Sequence, residues 1–370
     1  MSILVVHDKG WIISHLEYLN KIYNNVYNDN ELLELEFNKK VFDINSPFLR
    51  NNQIPKMSED KSMTKKKKSK KRKNIDGSVS TEKLDEIKII QETADEILAD
   101  VAEKQIFNKI VEHDYNKRAR DASQEFYDIE YNISDNFYGC NQSDNPIITT
   151  VHSNQYVFPS NSHFYSYDVK DIDKKLKMNN QFDFILMDPP WWNKFIRRNK
   201  NKSYKMMFNE DLTKIAIDKL LNSSGIIAIW CTNSQSHYNY IFDVIFPLWG
   251  IKYIAKWYWV KVTKSGETIC DFNNSLVKQP FELLIFGSLN RSATPQIPDK
   301  KLIISVPSAI HSHKPPLIDV LKTYLPVNPN CLEIFARYLL PGWTSWGLEV
   351  LKFQNISFYK INKTNECLES

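Results

Sequence analysis

The residues best suited to chemistry stand together at Asp188-Pro189-Pro190-Trp191, directly after the apolar run FDFILM at 182–187. Two successive prolines fix the backbone and donate no N–H. The Pro189 carbonyl and the Asp188 carboxylate are therefore expected to aim two acceptors at one point beside the Trp191 ring. A planar primary amino group attached to a ring fits that arrangement, donating both hydrogens while its ring stacks on an aromatic face. Held this way, the nitrogen lone pair leaves ring conjugation and faces an electrophile, which is catalysis by orientation and electrostatics without a strong base. The stretch that follows, NKFIRRNKNKSY at 193–204, is basic and aromatic. Asn193, Lys194, Arg197, Arg198 and Tyr204 are its candidates for contact with a nucleic-acid backbone and base. A second lid is expected at 305–313, ending on His313. Asn233 and Glu282 are further candidates for reading a target base, with a polar group satisfied at a strand end as the competing reading.

These residues need a scaffold, and the apolar runs supply one. Strands are expected at 182–187, 225–231, 251–262, 281–286, 302–306 and 332–336. Helical spacing marks 211–221 and a proline-started segment at 315–325. Buried strands alternating with helices imply a mostly parallel α/β sheet, whose ligands sit outside the carboxyl ends of the strands. Asp188 lies at such an end. Upstream, Leu84, Ile87, Ile90, Ala94, Ile97 and Val101 recur at three- and four-residue spacing. The expected division is an ordered segment at 1–50, a basic disordered linker at 51–81, a helical region at 82–146 and a catalytic domain at 147–370.

Composition narrows the function classes. The chain has nine glycines in 370 residues, far below the usual share of about 7%. No two glycines are separated by one residue, so no G-x-G phosphate cradle exists, and no Walker loop either. Side chains must hold any nucleotide-like cofactor. The five cysteines are scattered and form no C-x-x-C, which points to reduced thiols in an intracellular compartment. No metal site, signal peptide or membrane span is expected. Charge is uneven: residues 65–73 read KKKKSKKRK, and without those eight of the 48 basic side chains the remainder is net −4 against 44 acidic ones. That tract is expected to serve nuclear import or nucleic-acid binding, which places the protein in the nucleus.

Several stretches together resemble the eukaryotic DPPW-type N6-adenine methyltransferases. They are GWIISHLEYLNKI at 10–22, FDFILMDPPWWNK at 182–194, IAIWCTNSQSH at 227–237, KWYWVKVTKSGE at 256–267, SVPSAIHSHKPPL at 305–317 and EIFARYLLPGWTSWGLEVLKFQ at 333–354. The resemblance is loose over 24–150. It implies a Rossmann-like, seven-stranded S-adenosylmethionine-dependent methyltransferase fold with permuted motif order, the catalytic strand preceding the cofactor strand, plus an N-terminal mixed and helical region. It also implies that Asp168 and Val169 flank the cofactor adenine and that Lys314 takes the methionine carboxylate. Arg337 and Glu349 match ribose-side positions; Phe335, Gly347, Leu348 and Asp188 complete the implied cofactor set.

The branch it resembles most implies RNA as partner, specifically a 2′-O-methylated adenosine of U2 small nuclear RNA, with adenine in DNA as the rival. A monomer is expected. An RNA-presenting scaffold without catalysis is the alternative of another class. Leu348 stands where the family usually has Asn, and Tyr338 and Leu340 replace polar residues common in related proteins. Weaker cofactor binding is the expected consequence.

Overall fold

The run FDFILM is buried on both sides, as an interior strand must be. Phe184 and Leu186 enter the core on one face of a sheet, Ile185 and Met187 the core on the other. The computed structural model describes residues 2–29, 31–48, 81–107, 116–131, 133, 136–176, 181–191, 207–273, 278–290 and 295–363. The basic tract 65–73 and the stretch 193–204 lie outside them. In chain order the strands are β1 Ile3–His7, β2 Gly10–Ile13, β3 Val26–Asn28, β4 Glu31–Phe37, β5 Phe137–Asn141, β6 Ile147–Val151, β7 Asn154–Phe158 and β8 Ser162–Ser166. They continue with β9 Phe182–Met187, β10 Leu221–Cys231, β11 Lys252–Lys261, β12 Phe281–Ser288, β13 Leu302–Ser305, β14 Cys331–Ile334, β15 Trp343–Trp346 and β16 Tyr359–Lys363.

Eleven strands form one sheet in the order β1-β2-β13-β11-β12-β10-β9-β14-β15-β8-β5. Its inner seven, β8 to β11, all run parallel except β12. This is the Rossmann-like seven-stranded order that the resemblance implies, with the Asp188 strand β9 beside the later strand β14. Two additions extend it. β13, β2 and β1 lengthen one edge, and β5 pairs with β8 at the other. Residues 3–13 and 137–141 therefore pair into the same sheet as the Asp188 strand. A smaller sheet, β16-β4-β3-β6-β7, joins the N-terminal segment to the chain's last strand.

The glycine at 10 has a packing reason: a Cβ there would lie 2.0 Å from the Leu302 carbonyl oxygen across the β2–β13 pair. Three longer helices cover the sheet: α1 His15–Ile22, α2 Thr81–Asp100 and α3 Lys117–Asp128. The α2 stripe is as expected, with Ile87, Ile90, Ala94 and Ile97 buried. The helix expected at 211–221 is instead two short turns, Asn209–Leu212 and Ile217–Leu220. Leu212, Ile215, Ile217 and Leu220 all enter one core, and the β-branched residues between the turns favour helix weakly. At 315–325 only Ile318–Leu321 is α-helical. None of the described helices is long and apolar enough to cross a membrane.

One core cluster overturns an expectation. His313 is not on a lid surface but buried, with its ring 4.0 Å from Phe353 and 4.2 Å from His15 on α1. Neither of its ring nitrogens has a hydrogen-bond partner, nor does His15 Nε2, among the described residues. Burial keeps both imidazoles neutral: it lowers the His15 pKa to about 3 and holds His313 well below the ordinary 6.5. The unfolded chain takes up these protons first. Stability from this pair is therefore complete above about pH 6.5 and is lost as pH falls toward 3. The loss is about 1.4 kcal/mol per pH unit for each buried imidazole. Denaturant titrations at pH 7 and pH 5 are expected to show a smaller acid loss in His15→Leu than in the wild type; equal losses would sink this account.

Candidate active site

The carboxyl ends of β8, β15, β14 and β9 enclose a cavity of about 320 Å³, a usual size for a small-molecule site. Tyr167, Asp168, Val169 and Lys170 follow β8; Asp188, Pro189 and Pro190 follow β9. Phe335, Ala336 and Arg337 follow β14, and Gly347, Leu348 and Glu349 follow β15. The backbone turns sharply here. Phe335 has φ +68, a conformation costly for a bulky side chain. Ala336 N–H donates to the Trp346 carbonyl at 2.9 Å, and Gly347 N–H to the Tyr165 carbonyl at 3.0 Å. A Cβ at 347 would sit 2.7 Å from the Ala336 carbonyl oxygen, so only glycine fits that crossing.

Asp188 reaches the cavity with a cation behind it. Lys314 Nζ lies 3.6 Å from Asp188 Oδ1 and 2.5 Å from Glu282 Oε2, and Lys261 pairs with the other Glu282 oxygen. Lys314 is only 8% exposed and sits 5.4 Å from the centre of the Trp230 ring. Burial raises the Asp188 pKa above its ordinary value; Lys314 opposes that rise, and the Glu282 charge adds to it. Burial works the same way on Glu282, but the ammonium groups of Lys261 and Lys314 outweigh it and hold that carboxyl well below the usual range. On β14, burial and the Asp188 charge push Glu333 up to about 8. The carboxyl groups of Asp188, after β9, and Glu333, on β14, are thus both pushed up by burial, and Lys314 opposes the rise at Asp188.

Trp191 does not wall the cavity. Its indole N–H donates to the Trp230 carbonyl at 2.9 Å, and its ring stacks on His237 at 4.8 Å and 17°. His237 is itself fixed by Thr232 Oγ1 at 2.9 Å from Nδ1. With one face taken and 6% exposure, Trp191 anchors the Asp188 turn instead of offering its face to a base. The Pro189 carbonyl already accepts the Trp191 N–H at 2.7 Å, which leaves it one lone pair for a substrate amine.

The expected cofactor residues Asp168, Val169, Asp188, Phe335, Arg337, Gly347, Leu348 and Glu349 all line the cavity. Lys314 stands behind Asp188 and is not part of the wall. Arg337 Nε pairs with Glu349 Oε2 at 3.2 Å, and Lys352 holds Oε1 at 2.5 Å. Asn233 falls elsewhere: its amide donates to the Phe281 carbonyl at 2.6 Å, and it lines a separate groove beneath α2. Glu282 is buried against two lysines, so it meets a ligand only through Lys314 or after rearrangement. Asn193, Lys194, Arg197, Arg198 and Tyr204 lie outside the described residues. Sequence reasoning missed Lys170, Met207, Asp211, Ser312 and Trp346 as wall residues. Trp346, in WTSWG before Gly347, was the legible one.

Residues 182–349 match the MT-A70 family model. The chain carries an MT-A70 domain. This family comprises S-adenosylmethionine-dependent methyltransferases, and the matched span contains every one of the cavity's strand ends except that of β8. The N(6)-adenine-specific methyltransferase METTL4 of Mus musculus is 37% identical over 241 residues, covering 62% of this chain and 50% of that protein. The DNA N6-methyl methyltransferase of Caenorhabditis elegans is 33% identical over 229 residues, 61% of this chain and 62% of that one. The N6-methyladenosine RNA methyltransferase MTA1 of Pyricularia oryzae is 34% identical over 214 residues, 55% and 56% of the two chains. The chain spans about half the length of the METTL4 proteins it matches.

The cavity suits the MT-A70 cofactor. Val169, Phe335 and Trp346 give it apolar walls, Asp168 and Glu349 stand as acceptors for hydroxyl and amine groups, and Asp188 adds a carboxyl group to the wall. Of the three departures from family pattern, only Leu348 touches it. Tyr338 and Leu340 are core residues, so their loss of polarity serves packing. Leu348→Asn restores one hydrogen-bonding group at the wall, worth about 1 kcal/mol. Calorimetric titration with S-adenosylmethionine is expected to show roughly fivefold tighter binding; no gain would count against a contact at this position.

Proposed function

We propose that this protein is an S-adenosylmethionine-dependent N6-adenine methyltransferase acting on RNA, with a 2′-O-methylated adenosine of U2 small nuclear RNA as its target. The observation that carries the reading is the position of Asp188 at the wall of a cavity whose other walls are the expected cofactor residues. An amine held by Asp188 and by the Pro189 carbonyl would stand beside whatever that cavity binds.

The cofactor supplies an electrophilic methyl group when bound; the chain's own residues do the rest. Asp188 and the Pro189 carbonyl accept the two amine hydrogens and orient the nitrogen. Lys314 opposes the rise that burial imposes on the Asp188 carboxyl. Trp191, locked on Trp230 and His237, fixes the turn. The target base must be unpaired or flipped to reach this depth. A DNA reading is favoured by the worm relative, whose name specifies DNA, while the fungal relative's name specifies RNA.

Mass spectrometry of adenosines is the test, after incubation of the protein and methyl donor with U2-like RNA or with DNA of the same sequence. Methylation of the RNA alone is the expected result. Transfer to DNA alone would replace the substrate, and binding without transfer to either would make the chain a scaffold. Asp188→Ala is expected to lower transfer by at least a hundredfold, in line with losing a preorganised polar contact, while circular dichroism shows the fold retained.

We further propose that 65–73 is a nuclear-import or nucleic-acid tract and that the protein acts in the nucleus as a monomer. Deleting 65–73 is expected to move a fluorescent fusion from nucleus to cytoplasm. Undiminished nuclear accumulation would discard the import role.

A further inference from the structure

Strands β8 and β9 are not neighbours; β15 and β14 lie between them. Three strand spacings separate them, about 14 Å. Yet Lys170, just past the end of β8, and Asp211, in the segment after β9, come together, with Nζ 3.8 Å from Oδ1. Both residues line the cavity, and the ends of β14 and β15 form its walls between them. The pair therefore joins the β8 side of the cavity to its β9 side.

Each end is anchored. Lys170 N–H donates to Asp168 Oδ1 at 3.1 Å, which fixes the turn that presents its side chain. Asp211 is held on its own side by Lys214 at 2.6 Å. The bridge itself faces solvent, with Lys170 52% and Asp211 18% exposed. It is thus a contact that opens easily. Met207, four residues before Asp211, also lines the cavity, so the segment carries an apolar group inward together with the bridging carboxylate.

We infer that the Lys170–Asp211 ion pair is a closing bridge across the cofactor cavity, setting how fast the cofactor enters and leaves and not how tightly it is held. This rests on the cofactor assignment above. A bridge over the mouth slows entry and exit alike, whereas a side chain that touches the cofactor changes the exit rate.

Stopped-flow tryptophan fluorescence of the full chain with S-adenosylhomocysteine separates the two, using Trp346 in the cavity wall as reporter. In low salt, Lys170→Gln is expected to raise association and dissociation rates by the same factor, about two- to fivefold, the range for an exposed ion pair. The dissociation constant should stay put. Lys214→Gln, which removes only the pair on the Asp211 side, should leave both rates unchanged. In 1 M salt, where screening acts within about 3 Å, wild type and Lys170→Gln should coincide. Rates in Lys170→Gln equal to wild type at low salt would overturn the bridge. So would a rise in dissociation alone, or an equal effect of Lys214→Gln. No binding of S-adenosylhomocysteine by the wild type would instead remove the cofactor assignment and the bridge's function with it.

Discussion

A buried carboxylate needs a counter-charge, and Asp188 finds it in Lys314, 126 residues further along the chain. Removing one member of such a pair typically costs 3–5 kcal/mol, because the other is left as an uncompensated charge. The structure holds Lys314 from several sides: Glu282 pairs with it, Lys261 balances Glu282, and the Trp230 and Trp259 rings lie beneath its ammonium. These groups come from β12, β11 and β10, so three strands position the counter-charge of one carboxyl group at the end of a fourth. Glu333, the nearest second carboxyl on β14, is pushed toward its neutral form.

The strand order makes this possible. With β9 between β10 and β14, the Asp188 turn opens toward the cavity on the β14 side and toward the lysine pairs on the β10 side. The strained Phe335 backbone and the Ala336–Gly347 crossing shape the first side. The stacked Trp191 and His237 stiffen the second. A proline pair between them prevents the turn from relaxing into a helix. Scarcity of glycine follows the same logic: at 347 and 10, backbone approaches within the reach of a Cβ, while elsewhere around Asp188 rigidity is supplied by proline.

The N-terminal fifty residues are part of this machinery and not an appendage. β2 pairs with β13, α1 brings His15 against His313, and β4 pairs with the last strand, β16. Tyr338, unusual for its position in the family, hydrogen-bonds back toward the Lys314 carbonyl from the same core. The acid sensitivity expected of the His15–His313 contact would therefore be felt one residue from Lys314.

What the sequence determined by itself is the local chemistry and the elements that carry it: the Asp188-Pro189-Pro190 turn, the apolar strands β9 to β14, the α2 stripe and the residues after β8, β14 and β15 that line the cavity. These depend on short-range periodicity, on proline geometry and on recognisable runs of residues. Tertiary structure alone decided which face of each residue is used. It turned Trp191 from a stacking platform into an anchor, buried His313, placed Lys314 behind the wall and carried Asn233 to another groove. It also merged the N-terminal strands into the main sheet and brought Lys170 to Asp211. All of these are pairings between residues tens to hundreds of positions apart, and no local pattern encodes which distant partner will occupy a lone pair, a ring face or a charge.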